Sequence, residues 1–448
     1  MTQEAARSSV PVAPRDGSPQ FGQGLAQKSM GPVEVLAQSV AAIAPSAVMA
    51  TGPALIVLSA GAGTWLSYLF ATVTVLLIGY CVTQFSTRIA SAGSLYSYVA
   101  SSIGPVPAFA AGWGLVIGYA MIAIVGVAGF GIYGGSLLSS LGIPGESTGV
   151  LVVLVVVAAV AAVAFASYGI KLSTRLSLVL EVFSVSALLI LFVVVLVKNG
   201  FDADTTQLRA QGSTLDGVTF GIVLAVLGFV GFESAASLGA DALGSSAAPM
   251  SALADSAGMG GFSSVIEIGV AASFFAVTIA SVNAAARVLY TMSREQVLPE
   301  ALGRTHVKHR TPHIATLALL PVVVVIPVVM LLAGTTPLNV YAYTGTIGTF
   351  GYMTSYLLMA IGMPVSLGHR GERRGVHVLA AALTSAALLY VVYKSLVPAP
   401  PWPFNVLPYL YAAILAAGVA WFLVLRARHP ERAAQVGTYD EETPAPHH

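Results

Sequence analysis

The stretch "VEVLAQSVAAIAPSAVMATGPALIVLSAG", residues 33–61, is apolar enough to cross a bilayer, yet Pro45 and the pair Gly52-Pro53 interrupt it. Proline removes a backbone donor and clashes with the turn before it, so an unbroken helix is not expected here. A membrane helix broken near its middle exposes amides where one half starts and carbonyls where the other half ends. Those two ends suit a carboxylate and a cation. A simple proline kink is the plainer alternative. Five spans later, "GIVLAVLGFVGFESAASLGA", residues 221–240, repeats the feature, with Gly228 and Gly231 three apart and Glu233 beyond them. Two discontinuous helices at this separation are the pattern of two inverted five-helix repeats that share one site.

The rest of the chain fits that frame. Of its 448 residues 56% are hydrophobic and 9% charged, with a mean hydropathy of +0.84; soluble domains carry roughly a quarter charged residues. Apolar runs fall at about 33–60, 64–87, 106–138, 148–167, 172–197, 214–240, 262–290, 313–333, 338–366, 375–396 and 405–426. Most approach the ~20 residues a helix needs to span a hydrocarbon core, and none shows the short alternation of an outer-membrane barrel. The sequence therefore predicts an all-α, polytopic helical membrane protein with eleven visible spans.

A net charge of +1 gives no reason to expect a nucleic-acid partner, and the basic residues cluster between apolar runs as topology signals do. The single cysteine, Cys81, excludes an internal disulfide and a thiolate metal site, and no cofactor is implied. Residues 1–31 read as a flexible cytosolic tail without a secretory signal, and 427–448 as a polar cytosolic tail.

With the amino terminus inside, Arg88, Lys171 and Arg175 fall in cytosolic loops, and the sixth span delivers the chain to the inside near Asp241. From the other end, the basic stretches "RARHPER", "GHRGERRGVH" and "SREQVLPEALGRTHVKHR" belong inside too, which makes the span at 262–290 begin outside. One crossing is missing. The segment between, "DALGSSAAPMSALADSAGMGGF", residues 241–262, holds two aspartates, a proline and a glycine cluster, so it is not an ordinary membrane helix.

Intramembrane carboxylates are costly when charged and are functional candidates by default. Glu181, deep in an apolar span, is a candidate proton carrier or else a carboxyl hydrogen-bonded to a neighbouring helix. Glu233, nearer the cytosolic end of its span, is a candidate gate or a solvated vestibule group. Glu267 is the weakest, with water expected to reach it from the outer side. Arg287 and Arg294 are expected to anchor at the cytosolic surface. Tyr119, Phe229 and Phe232 are candidates for covering a bound side chain, and Thr278 with Ser281 for a sodium site, though such hydroxyls more often bond their own helix.

Four motifs together resemble the amino acid-polyamine-organocation superfamily of permeases. They are "APSAVMATGP", "SAGSLYSYVASSIGPVPAFAAGWGLVIGY", "GFVGFESAA" and "NAAARVLYTMSREQVLPEALGRTHVKHRTP", and the resemblance runs from about 33 to 426. It implies two inverted five-helix repeats, 32–198 and 211–366, two extra helices in 375–426, and discontinuous helices 1 and 6. It implies transport of amino acids or related amines across the cytoplasmic membrane, commonly with protons. By position, Pro45, Ser46 and Ala47, with Met49 nearby, are to meet the substrate's carboxylate, and Phe229, Gly231 and Phe232 its amino group and side chain. Glu233 matches an acidic gating position, and Glu181 stands where some proton-coupled relatives have a lysine. Set against these permeases, the chain lacks the seventh helix.

Two functions are compatible with this sequence. One is a secondary active transporter of an amino acid or amine, proton-coupled, multi-pass in a bacterial cytoplasmic membrane, working with eleven helices by dimerising or by threading 241–262 across. The other is a transport-inactive deletion variant or substrate sensor of the same fold. An intramembrane enzyme is poorly supported, because no nucleophile motif, phosphate loop or metal set appears.

Overall fold

The computed structural model describes residues 44–89, 93–168, 170–201, 208–227, 260–306, 309 and 311–438, and among these the regular structure is entirely helical. Helix α1 (Pro45–Ala60) turns through a 3-10 segment at Gly61–Gly63 into α2 (Thr64–Ser86). Short α3 (Leu95–Ile103) leads into α4 (Pro105–Ser140), followed by α5 (Thr148–Tyr168), α6 (Ile170–Lys198) and α7 (Leu215–Leu227). Then come α8 (Gly260–Arg294), α9 (His313–Leu332), α10 (Pro337–His369), α11 (Gly375–Lys394), α12 (Leu407–Arg428) and the one-turn α13 (Pro430–Ala433). Each apolar run read from the sequence thus has its helix, α1 and α7 being the described parts of the first and sixth. Among the described residues nine stretches are long and apolar enough to cross a membrane, with α1 and α2 counted together as Pro45–Ser86.

The long helices α4, α8 and α10 form the centre. In α4 83% of the most apolar window is buried, whereas in the peripheral α12 it is 11%. Outward faces carry bare Leu58, Val153, Val179 and Val325, an arrangement that suits lipid, where apolar side chains lose nothing by exposure.

Two ion pairs mark the ends of the bundle. Arg88, after α2, reaches Glu372 in the α10–α11 connection at 2.6 Å, and its guanidinium holds that carboxyl below the usual carboxylate range. At the opposite end Lys394 of α11 meets Asp216 of α7 at 2.9 Å. From that second end α7 runs back along α1, with Gly221 facing Ile56. Helix α8 leaves the same end, since Glu267 near its start meets Ser136 at the close of α4, and Glu295 just past its end meets Tyr96 at the start of α3. These two described helices therefore run parallel. Residues 228–259, between them, lie outside the described residues.

Beyond α12 the chain packs against the Arg88 end. Ala433 is buried, and the Gly437 amide donates to Glu295 Oε1 at 2.9 Å while the Tyr96 hydroxyl takes the other carboxylate oxygen. Two of the stretches that carry the family resemblance, around Tyr96 and Glu295, are thereby joined.

Helices α4 and α10 approach closely because glycines face each other. A Cβ on Gly351 would stand 2.4 Å from the Gly114 carbonyl and 2.9 Å from the Gly118 amide, both backbone atoms. Small residues at such crossings let membrane helices gain dispersion contact. Gly351→Ala is expected to force the pair apart and cost about 1–3 kcal/mol, the range for overpacking, seen as a lower melting temperature in detergent. Gly79→Ala in α2, where a Cβ meets nothing within 4 Å, is expected to leave that temperature unchanged or slightly raised.

Candidate functional site

The start of α1 supplies the site. Ala44 has left-handed backbone angles, φ 45° and ψ 63°, and α1 starts at once with Pro45 in its first turn. Proline suits that position, because the amide it lacks has no partner inside the helix. The next amides, Ser46 and Ala47, do need partners, and Ala44 provides no side-chain cap. Gly52-Pro53 does not break the chain, contrary to expectation: α1 continues through Pro53 to Ala60. The Tyr133 hydroxyl of α4 donates to the Ala50 carbonyl at 2.9 Å in the same turn, part of the compensation a proline inside a membrane helix requires.

The partners of Ser46 and Ala47 come from distant helices. Glu181 of α6 accepts from the Ser46 amide at 3.1 Å and from the Ser46 hydroxyl at 2.6 Å, both on Oε1. Its Oε2 accepts from the Ser273 hydroxyl of α8 at 2.6 Å. Ser273 Oγ in turn accepts from the Ala47 amide at 3.2 Å. Glu181 is 1% exposed and Ser273 is fully buried. Three donors thus converge on the two oxygens of one side chain at the positive end of a helix. Of the positions that the resemblance assigns to a substrate's carboxylate, the Ser46 amide holds a carboxyl group of the protein itself and the Ala47 amide is taken by Ser273.

Of the other candidates, Met49 is 7% exposed within the α1 core, and half-buried Tyr119 on α4 meets the Tyr352 ring of α10 edge-on at 5.1 Å. Among the described residues no hydrogen bond or ring contact joins Tyr119 to the Ser46 cluster. Phe229, Gly231, Phe232 and Glu233 lie outside the described residues. Glu267 departs from expectation. It is 2% exposed rather than wetted, with Oε1 accepting from Ser136 at 2.5 Å, because α4 packs over the start of α8. Thr278 bonds its own helix at Phe274 O, 2.9 Å away. Arg287 and Arg294 are half-buried rather than surface anchors.

Ser273 had no signal in the sequence. Serines are common in α8, and its role depends on the antiparallel pairing of α6 with α8, two segments 92 positions apart. Ser273→Ala strips a donor from Glu181 and the acceptor from the Ala47 amide. Removing a partner from a buried, charged group is expected to cost about 1–3 kcal/mol, read as a lower melting temperature in detergent. Ser46→Ala, which leaves the amide bond in place, is expected to cost less.

The family model described as "Amino acid permease" matches residues 35–242 and 239–424, two pieces that meet within the stretch between α7 and α8. The branched-chain amino acid permease BcaP of Bacillus subtilis (strain 168) is 24% identical over 313 residues, 58% of this chain and 65% of that protein. The methylthioribose transporter of the same organism is 26% identical over 306 residues, 58% of this chain and 64% of its own length. Each match spans a little less than two thirds of the relative. The match along most of the chain and the helical membrane architecture agree: this protein belongs to the amino acid permease family.

Proposed function

We propose that this protein carries an amino acid across a bacterial cytoplasmic membrane together with a proton bound at Glu181. The observation that carries the proposal is the hold of Glu181 on the start of α1, through the Ser46 amide at 3.1 Å and the Ser46 and Ser273 hydroxyls at 2.6 Å. A proton added to one Glu181 oxygen forms an O–H bond and removes the negative charge. The charge-assisted bonds weaken, and the Ser46 amide becomes available to the carboxylate of an amino acid. One carboxylate replaces another, so proton and substrate favour each other's binding, as linkage requires. Of the two relatives, one is named for amino acids and the other for a thio-sugar; a receptor built for a carboxylate fits the first kind of substrate.

Glu181→Gln keeps the shape of the protonated side chain without its charge change. In proteoliposomes given an equimolar mixture of labelled amino acids, the variant is expected to lose at least tenfold of the uptake driven by a proton gradient. It is expected to keep exchange of labelled for unlabelled substrate, with binding that no longer varies with pH. Undiminished gradient-driven uptake by the variant rejects Glu181 as the proton site.

A second reading is favoured by one observation: α7 and α8 run parallel, and the family model matches in two pieces around the gap. We propose that a complete helix is missing there, at the place of the seventh. If wild-type protein binds an amino acid but neither imports nor exchanges it, the chain is a sensor of this fold. Orientation is tested separately. In a Cys81→Ser background, Arg370→Cys is expected to label from the cytosolic side and Ala333→Cys from outside; the reverse pattern inverts the assigned topology.

A further inference from the structure

Helix α6 presents a polar line to α8 that the carboxylate receptor does not account for. Ser173, Ser177, Glu181 and Ser184 follow at helical spacing on one face, each 1% exposed or less. The face is pinned to α8 at three levels. Ser173 Oγ accepts from Asn283 Nδ2 at 3.0 Å, Glu181 accepts from Ser273, and Ser184 lies against Gly269, where an added Cβ would come within 3.2 Å of Ser184 Cα. Ser177, between the first two levels, has a buried hydroxyl with no hydrogen-bond partner, and so has Ser184. Serines in membrane helices ordinarily bond back to their own helix. Ser167 and Ser186 do so here, to Val163 O and Val182 O at 2.8 and 2.7 Å.

The two sides of Glu181 differ. Toward the Lys198 end the same face continues past Ser184 as Ala187, Leu188, Leu191 and Val195, all buried and apolar. Toward the other end it continues as Ser177 and then the Ser173–Asn283 pair, close to the helix start at Ile170; Arg175, between the two serines in sequence, is exposed on another face. From Glu181 to Ser173 is about 12 Å along the axis at 1.5 Å per residue, with Ser177 halfway between them. The charged groups on the elements packed here are few. Helix α1 carries none, α5 offers only Tyr168 as a titratable group, α6 has Lys171, Arg175 and Lys198, and α8 has Glu267, Arg287, Tyr290 and Arg294, with Glu267 engaged by Ser136 of α4.

Resting on proton coupling at Glu181, we propose that the seam between α6 and α8 is the proton's exit, running from Glu181 through Ser177 and the Ser173–Asn283 pair to the Ile170 end of α6. The Glu181 O–H bond breaks. The proton passes to the Ser177 oxygen or a water beside it while that group's own proton moves on, and the carboxylate regains its bonds to Ser46 and Ser273. Substrate and proton then leave by different paths.

The test uses full-length protein in proteoliposomes containing a pH-sensitive dye, supplied with whichever amino acid the wild type takes up from the labelled mixture. Ser177→Ala is expected to slow substrate-driven proton movement at least tenfold while leaving substrate exchange within twofold of wild type. Its melting temperature is expected to hold or rise, because the change removes an unpartnered buried hydroxyl. Ser177→Thr, which keeps a hydroxyl, is expected to restore the rate. Ser184→Ala, on the sealed side of Glu181, is the matched control and is expected to move protons normally. An undiminished proton rate in Ser177→Ala overturns the exit path alone, as does an equal loss in Ser184→Ala. Substrate uptake by wild type without proton movement overturns the coupling at Glu181 and the path with it.

Discussion

A helix that starts inside a membrane has to find partners for its first amides, and in this protein that demand organises the centre of the molecule. No residue adjacent in sequence can meet it, because Ala44 has no polar side chain and Pro45 follows directly. The partner is Glu181, with Ser273 completing the set, so α1, α6 and α8 are bound into one unit by four hydrogen bonds. The same arrangement answers the reverse problem. A carboxylate buried at 1% exposure in an apolar bundle is tolerable only where several donors and a helix dipole face it. Each of two otherwise unfavourable features is the remedy for the other.

Around this unit the bundle is built from close backbone approaches more than from large interlocking side chains. Gly114 and Gly118 of α4 face Gly348 and Gly351 of α10, and Gly126 and Gly129 of α4 lie under Thr278 and Phe274 of α8. The central α4 thereby touches both neighbours at short range, which holds α8 in the register that puts Ser273 opposite Glu181. Lipid offers no hydrophobic drive for helices to associate, so shape and polar contacts do most of the specifying.

Much of this was legible in the sequence. Hydropathy located every long helix among the described residues, and the alternation of basic loops called for a missing crossing whose place, 228–259, lies outside them. Pro45 marked the helix start and Glu181 stood out as an isolated carboxylate. Gly52-Pro53 misled, because a proline signals a lost hydrogen bond but not whether a neighbour such as Tyr133 supports the turn. Ser273, Ser177 and the burial of Glu267 were illegible for a different reason. A hydroxyl or carboxyl on a helix gives its period but not its neighbour, and which helix lies opposite is decided by packing across the whole bundle. The candidates at Phe229, Gly231, Phe232 and Glu233 fall outside the described residues.

The 135 positions between Ser46 and Glu181 have a consequence for biogenesis. A ribosome delivers α1 to the bilayer well before it has made the residue that completes the helix start. Until α6 arrives, the start of α1 lacks the partner of its Ser46 amide. Helices α1 to α6 thus mature as a block rather than one by one, and the order of translation becomes part of what the fold has to accommodate.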